Sequence, residues 1–122
     1  MGTRATFLFT DGENDLISLY TQFDGYPEGV PLGFVKFLKN ISVENGIPPG
    51  AELFSIANGY GCLVLQLIAK FKNRPGTLYL ANKDWMFGVQ YQWNIDLKNQ
   101  TITDTELDVT MTYDMFISQW DS

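Results

Sequence analysis

Residues 88–96 carry the pattern that most restricts how this chain can fold. Val89, Tyr91, Trp93 and Ile95 alternate with Gln90, Gln92 and Asn94. A period of two places the apolar set on one face of a strand and the amides on the other, so the segment must lie half-buried in a sheet. The same period recurs near the start. Over residues 3–9, Ala5, Phe7 and Phe9 share one face and Arg4, Thr6 and Leu8 the other. Asp11-Gly12-Glu13-Asn14 is turn chemistry. Residues 15–22 then read as a second strand, with Ile17 and Leu19 on one face and Ser18, Tyr20 and Gln22 on the other. An opening hairpin follows, and in one register it brings Arg4, Tyr20 and Gln22 to the same side.

The middle of the chain switches to helical spacing. Pro31 fits a first helical turn, and Phe34, Val35, Phe37 and Leu38 form an apolar stripe over residues 31–40. Asn45 to Gly50 is a loop rich in breakers, residues 51–57 read as a helical turn, and a longer helix is expected from about Gly61 to Lys72. Its stripe is Leu63, Leu67 and Phe71, widened by Val64 and Ile68, and Lys70 and Lys72 near its end suit the helix dipole. Arg74-Pro75-Gly76 is a turn, Thr77 to Ala81 a strand and Asn82-Lys83-Asp84 a connection. Lys98-Asn99 is a hairpin tip, and residues 100–110 form the partner strand of 88–96. In the tail, Phe116, Ile117 and Trp120 stand at helical spacing, as in a short docked helix or an interface element. The order strand-strand-helix-helix-strand-strand-strand predicts one α+β domain over residues 1–122, an antiparallel sheet with its helices packed on one face.

Several chemistries are excluded outright. The chain has no histidine, which removes His-based catalysis and His-metal sites, and its one cysteine, Cys62, cannot form an intramolecular disulfide. A carboxylate site for a hard cation stays open, but the spacing of a calcium loop is missing, and no cofactor or metal is expected. The net charge of −6 disfavours a nucleic acid polymer as partner. Asp104, Glu106 and Asp108 alternate and read as the solvated face of a strand. No apolar run is long enough for a membrane span, and the start lacks the pattern of a secretory signal. A cytoplasmic protein without membrane contact is the expectation.

Two glycine-punctuated segments stand out as a candidate site. They are Gln22-Phe23-Asp24-Gly25-Tyr26-Pro27-Glu28-Gly29 and Ala57-Asn58-Gly59-Tyr60-Gly61-Cys62. Each precedes a segment that reads as a helix, and binding groups concentrate on loops held by a rigid scaffold. Asp24 could accept from a ribose hydroxyl or base amine, and Tyr26 could stack on a base. Free N–H groups near Asn58, Gly59 and Tyr60 could hold a phosphate at a helix start. Arg4, beside an apolar strand, needs a partner, either Asp24 or a ligand phosphate. The ligand-binding residues expected from sequence are therefore Arg4, Tyr20, Gln22, Asp24, Gly25, Tyr26, Asn58, Gly59 and Tyr60. Trp85 also lies close to a loop. Turn chemistry explains the first segment equally well: Asp24 caps, the glycines take positive φ and Pro27 stiffens.

The start Met1-Gly2-Thr3-Arg4, the run Tyr20 to Gly29, Ala57 to Leu63 with Gln66, and Gly76-Thr77-Leu78-Tyr79-Leu80 together resemble a family of small uncharacterised proteins of bacteria and their phages. The likeness covers roughly the first two thirds of the chain. It implies a bacterial host cell as setting, where small phage proteins often counter host defences. The expected function is a non-catalytic binding protein that sequesters a nucleotide-like anionic signal. One alternative is an inhibitor that docks on a host protein through Asp104, Glu106 and Asp108 or the aromatic tail. That tail also offers a surface for homo-oligomers. A second alternative is a small hydrolase using Asp24, Glu28 or Cys62.

Overall fold

The computed structural model describes residues 2–47, 49–52, 55–82 and 88–122. Trp85, Lys83 and Asp84 lie outside the described residues. The chain runs β1 (Ala5–Thr10), β2 (Asp15–Thr21), α1 (Val30–Lys39), β3 (Ser42–Glu44), β4 (Ile56–Asn58), α2 (Gly59–Phe71), β5 (Tyr79–Ala81), β6 (Tyr91–Asp96), β7 (Thr101–Asp104), β8 (Val109–Thr112) and α3 (Tyr113–Trp120). The main sheet has six strands in the order β5-β2-β1-β6-β7-β8. This is the α+β class, with a mostly antiparallel sheet and the helices packed on it.

The alternation reads out as expected. Ala5, Phe7 and Phe9 pair with Tyr91, Trp93 and Ile95 of β6, and Ile95 pairs with Ile102 of β7. Residues paired across a ladder share a face. That face is buried: Phe7, Phe9 and Ile95 are fully covered, and Trp93 and Ile102 nearly so. The helices cover it. Phe34 of α1 sits 4.9 Å from Phe7 and 5.9 Å from Phe9 between ring centres. Phe71 of α2 meets the same Phe34 at 5.0 Å, and Phe116 of α3 meets Trp93 at 5.8 Å. The tilted and edge-on geometries are those that aromatic quadrupoles favour. Ion pairs from Lys36 to Asp121 (2.9 Å) and from Lys39 to Asp114 tie α1 to α3 on the exposed side. Both pairs are too exposed to contribute much stability.

Turns repeat one device. Asp11 Oδ1 accepts the N–H groups of Glu13 and Asn14, Asp96 Oδ1 those of Lys98 and Asn99, and Asp104 Oδ1 those of Glu106 and Leu107. Each carboxylate closes a tight turn between strands. At Asp11 these backbone donors hold the carboxyl below its ordinary range. α3 begins with Thr112 as a cap, its hydroxyl accepting from the Met115 N–H at 3.2 Å.

Four expectations need correction. The central β1–β6 pairing is parallel, while the other ladders of the main sheet are antiparallel. Local alternation specifies a strand's faces but not its partner or direction, so a parallel pair looks the same in sequence. Residues 51–57 contribute β4, which pairs with β3 in parallel, rather than a helical turn; residues 53 and 54 lie outside the described residues. Residues 100–110 are not one strand. They are β7, a turn at 105–108 and the start of β8, with Asp108 in the left-handed region at φ 54°. The acids Asp104, Glu106 and Asp108 therefore do not line a strand face. Finally, α2 starts at Gly59, two residues before the expected position.

Among the described residues no helix is long and apolar enough to cross a membrane.

Phe34 touches both the sheet and α2, so its loss opens a cavity at their junction. Phe34→Ala should cost about 3–5 kcal/mol. Urea unfolding of this variant beside Phe34→Leu checks it: the midpoint should fall steeply for Ala and only slightly for Leu.

Candidate functional site

Strand register collects several loops at one end of the sheet. Ala5 opens β1 and lies beside Thr21, which closes β2, and beside Tyr91, which opens β6. Tyr20 pairs with Tyr79, the first residue of β5. Trp93 pairs with Asp104, the last residue of β7, and Asp104 with Val109, the first of β8. The segments 22–29, 73–78, 88–90 and 105–108 thus crowd together. α1 starts there, and α2 and α3 finish there.

The segment 22–29 crosses this end as a strap, held mainly by its backbone. The Gly25 N–H donates to Thr3 O at 2.9 Å, and the buried indole N–H of Trp93 donates to Gly25 O at 2.9 Å. The Val30 N–H, the first in α1, donates to Asp24 O at 2.7 Å. The turn chemistry differs from expectation. Asp24 itself takes the left-handed conformation, at φ 60°, and its side chain caps nothing; the helix cap is Gly29, without a side-chain bond. The glycines serve close approach instead. A Cβ at Gly25 would stand 2.5 Å from the Ala5 Cβ, and one at Gly29 would stand 2.2 Å from Asp24 O. Asp24 is freed for another contact: its Oδ1 accepts from the Tyr26 hydroxyl at 3.1 Å. That bond, with the carboxylate's charge, raises the Tyr26 phenol above its ordinary value.

A cavity of about 760 Å³ opens on one side of the strap. Its floor is apolar, with Val30, Phe34, Phe71 and Leu78. Gln22 and Asp24 form one wall, and Asn73, Arg74 and Thr77 the other. The walls are braced together. Thr21 Oγ donates to Phe23 O at 3.0 Å, and the Tyr79 hydroxyl reaches Gln22 Oε1 at 3.5 Å. Thr77 Oγ donates to Arg74 O at 2.9 Å, and Lys72 Nζ to Leu78 O at 2.9 Å. Arg74 makes no ion pair among the described residues.

The sequence-predicted residues scatter over four places. Gln22 and Asp24 line this cavity. Tyr26 turns to the other side of the strap, into a shallower depression with Thr3 and Gln90. Arg4 lies against Gly88, and among the described residues it makes no ion pair with Asp24. Its main chain is used in pairing, with Arg4 N donating to Gln90 Oε1 at 2.7 Å. Gly25 is buried, and Tyr20 is buried on the sheet face away from the helices, its ring 5.8 Å from that of Tyr79. Asn58, Gly59 and Tyr60 start α2, while the cavity meets its last residue. Along this helix of 13 residues, Gly59 and Phe71 lie about 18 Å apart. At that far end the Asn58 side chain accepts from the Gly46 N–H at 2.8 Å. Tyr60 stands near Tyr113, whose phenol is pushed up by burial first and then by the charge of Asp96. The Tyr113 hydroxyl has no hydrogen-bond partner among the described residues. Cys62 also sits in that first turn, with Sγ 3.1 Å from Gln66 Oε1, so the structure does not bring it together with Asp24.

Sequence reasoning missed Arg74 as a site residue. The available signal was that Lys70, Lys72 and Arg74 form the chain's one dense group of cations. Among the described residues no group of three or more Cys, Asp or Glu side chains is arranged to hold a metal ion. Compared with known proteins, the chain matches no family model, no curated protein and no solved structure.

Two outcomes follow from the strap. Trp93→Phe keeps the ring packing but strands the buried Gly25 carbonyl, at a cost of about 1–3 kcal/mol; thermal unfolding should show a lowered midpoint. Tyr26 should titrate above about 10, and Asp24→Asn should bring its midpoint down toward that ordinary value. NMR of ring-labelled tyrosine across the alkaline range reads both.

Proposed function

We propose that this chain is a non-catalytic binding protein, and that its cavity between the strap and the 73–78 turn takes a small nucleotide-like anion. The observation that carries the reading is that one guanidinium, one carboxylate and two amides line one cavity of about 760 Å³ over an apolar floor. Small-molecule sites have this form: roughly 300–1,000 Å³, largely apolar, with a few placed polar groups. Arg74 suits a phosphate, because its planar fork matches two oxygens at once. Lys70 and Lys72 lie close by in sequence, so an anion meets local attraction on a chain that otherwise repels it. Gln22 and Asp24 line the same cavity as Arg74, and with Oδ1 taken by the Tyr26 hydroxyl the Asp24 carboxylate keeps Oδ2 to accept from an amine or hydroxyl on the ligand's other part.

Binding without turnover is favoured by how the hydroxyls are used. Thr21 and Thr77 both donate to main-chain carbonyls, so neither is poised as a nucleophile beside a base. In a phage-infected cell, a protein that holds a phosphorylated signal without consuming it acts as a sponge.

The reading is tested by capture. Pure protein is incubated with an extract of phage-infected bacteria, repurified and denatured, and the released material is identified by mass spectrometry. A phosphorylated nucleotide is the expected release. Calorimetry with that compound should then show a loss of about tenfold or more for Arg74→Ala, the scale of a charge-assisted bond. Arg4→Ala should bind as the unaltered protein does, since Arg4 lies outside the cavity. An empty protein, or binding indifferent to Arg74→Ala, overturns the assignment, and release of a chemically altered compound moves the chain to the enzymes.

A further inference from the structure

A second cavity lies on the other side of the strap, with no lining residue in common with the first. It measures about 260 Å³ and sits on the helix side of the sheet, between α3 and strands β7 and β8. Four aromatic side chains wall it: Tyr91, Trp93, Phe116 and Trp120. Tyr91 and Trp93 stand with parallel rings, 5.5 Å apart and 6° between planes. Phe116 meets Trp93 edge-on, and Trp120 follows Phe116 at 6.4 Å. Trp93 and Phe116 are buried and form the floor, while Trp120 and Tyr91 remain partly open.

The polar content of this cavity is one-sided. Among the described residues Asp104 is the one carboxylate that lines it, and no lysine or arginine does. Asp104 Oδ1 closes the turn to Glu106 and Leu107, but Oδ2 accepts no hydrogen bond among the described residues. The adjoining depression shares Tyr91, Asp104 and Leu107 and adds Glu106 at the mouth. Neither acid has an ion-pair partner among the described residues.

We infer that this cavity is a binding site for a small organic cation, an ammonium carried on an apolar body. Aromatic faces present negative potential and attract a cation that has been stripped of water, and quaternary ammonium groups are recognised in this way. Asp104 supplies the countercharge at the wall and Glu106 adds to it at the mouth. The chain's net charge of −6 favours the approach of cations from solution. A neutral apolar molecule would fill the same space but gain nothing from the free carboxylate oxygen. An anion would be repelled by it. The site is independent of the anion site proposed above, since its residues, its charge and its ligand differ.

The test compares shape-matched probes. Phenyltrimethylammonium and tert-butylbenzene have nearly the same outline and differ in charge; benzoate supplies the opposite sign. Indole N–H resonances, assigned with the aid of Trp120→Phe, report binding at Trp93 and Trp120. The cation should bind roughly fivefold or more tightly than its neutral counterpart, and benzoate should not bind. Asp104→Asn keeps an oxygen that can close the turn, so the fold should survive while the preference for the cation collapses. Trp120→Leu should weaken the cation more than the neutral probe. Equal affinity for the cation and tert-butylbenzene would overturn the inference. So would a preference that persists in both Asp104→Asn and Trp120→Leu, or indole signals that stay still at millimolar cation.

Discussion

The hydrogen bond from the Trp93 indole to Gly25 O is the contact on which the end of this molecule depends. It is buried, 2.9 Å long, and spans 68 residues of sequence. Trp93 is itself fixed on three sides, by the strand backbone, the parallel ring of Tyr91 and the edge contact with Phe116. The indole therefore transmits the position of the sheet to the strap. Gly25 can receive it because it has no Cβ, which allows the strap to lie against Ala5. From that pinned point the chain diverges. Asp24 lines the large cavity while its carboxylate bonds the Tyr26 hydroxyl, Tyr26 lines the shallow depression and Pro27 the aromatic cavity. Three consecutive side chains around Gly25 thus divide one end of the sheet into separate compartments.

The parts of this arrangement that were legible in sequence are those set by local period. Alternation placed Phe7, Phe9, Trp93 and Ile95 on one buried face, and helical spacing placed Phe34, Leu67 and Phe71 on stripes that cover it. The strap was legible as a special loop, since Gly25 and Gly29 sit beside Asp24 and Pro27. Its conformation was not, because a glycine needed for close approach and one needed for positive φ are written identically. Asp104, Glu106 and Asp108 show the converse error. Their alternation is that of a strand, yet Asp104 accepts two N–H groups and turns the chain instead.

The site was half legible for a geometric reason. Two loops that each precede a helix look equivalent in sequence, but α1 and α2 run in opposite senses across the sheet. α1 starts at the end where the strap lies, whereas α2 arrives there only with Phe71. Asn58, Gly59 and Tyr60 are consequently a helix length away, and the cation that joins Gln22 and Asp24 is the one just past the end of α2, Arg74. Periodicity gives helix axes no direction, so it could not exchange Arg4 and Gly59 for Arg74; only the clustering of Lys70, Lys72 and Arg74 pointed that way.

Charge follows the same division. Among the described residues Arg74 is the cation lining one cavity, and Asp104 the carboxylate lining the other. In solution of physiological salt, charges are screened over about 8 Å, so a ligand in either cavity responds chiefly to the groups around it rather than to the net charge. The strap is held by main-chain bonds at Gly25 and Asp24 and by the Trp93 indole, and the opposite wall by Thr77 and Lys72 on main-chain carbonyls. A main chain that is already braced loses little freedom when a ligand arrives, which lowers the ordering cost of binding. The same braces that close the fold at this end therefore also hold the walls of the cavity in place.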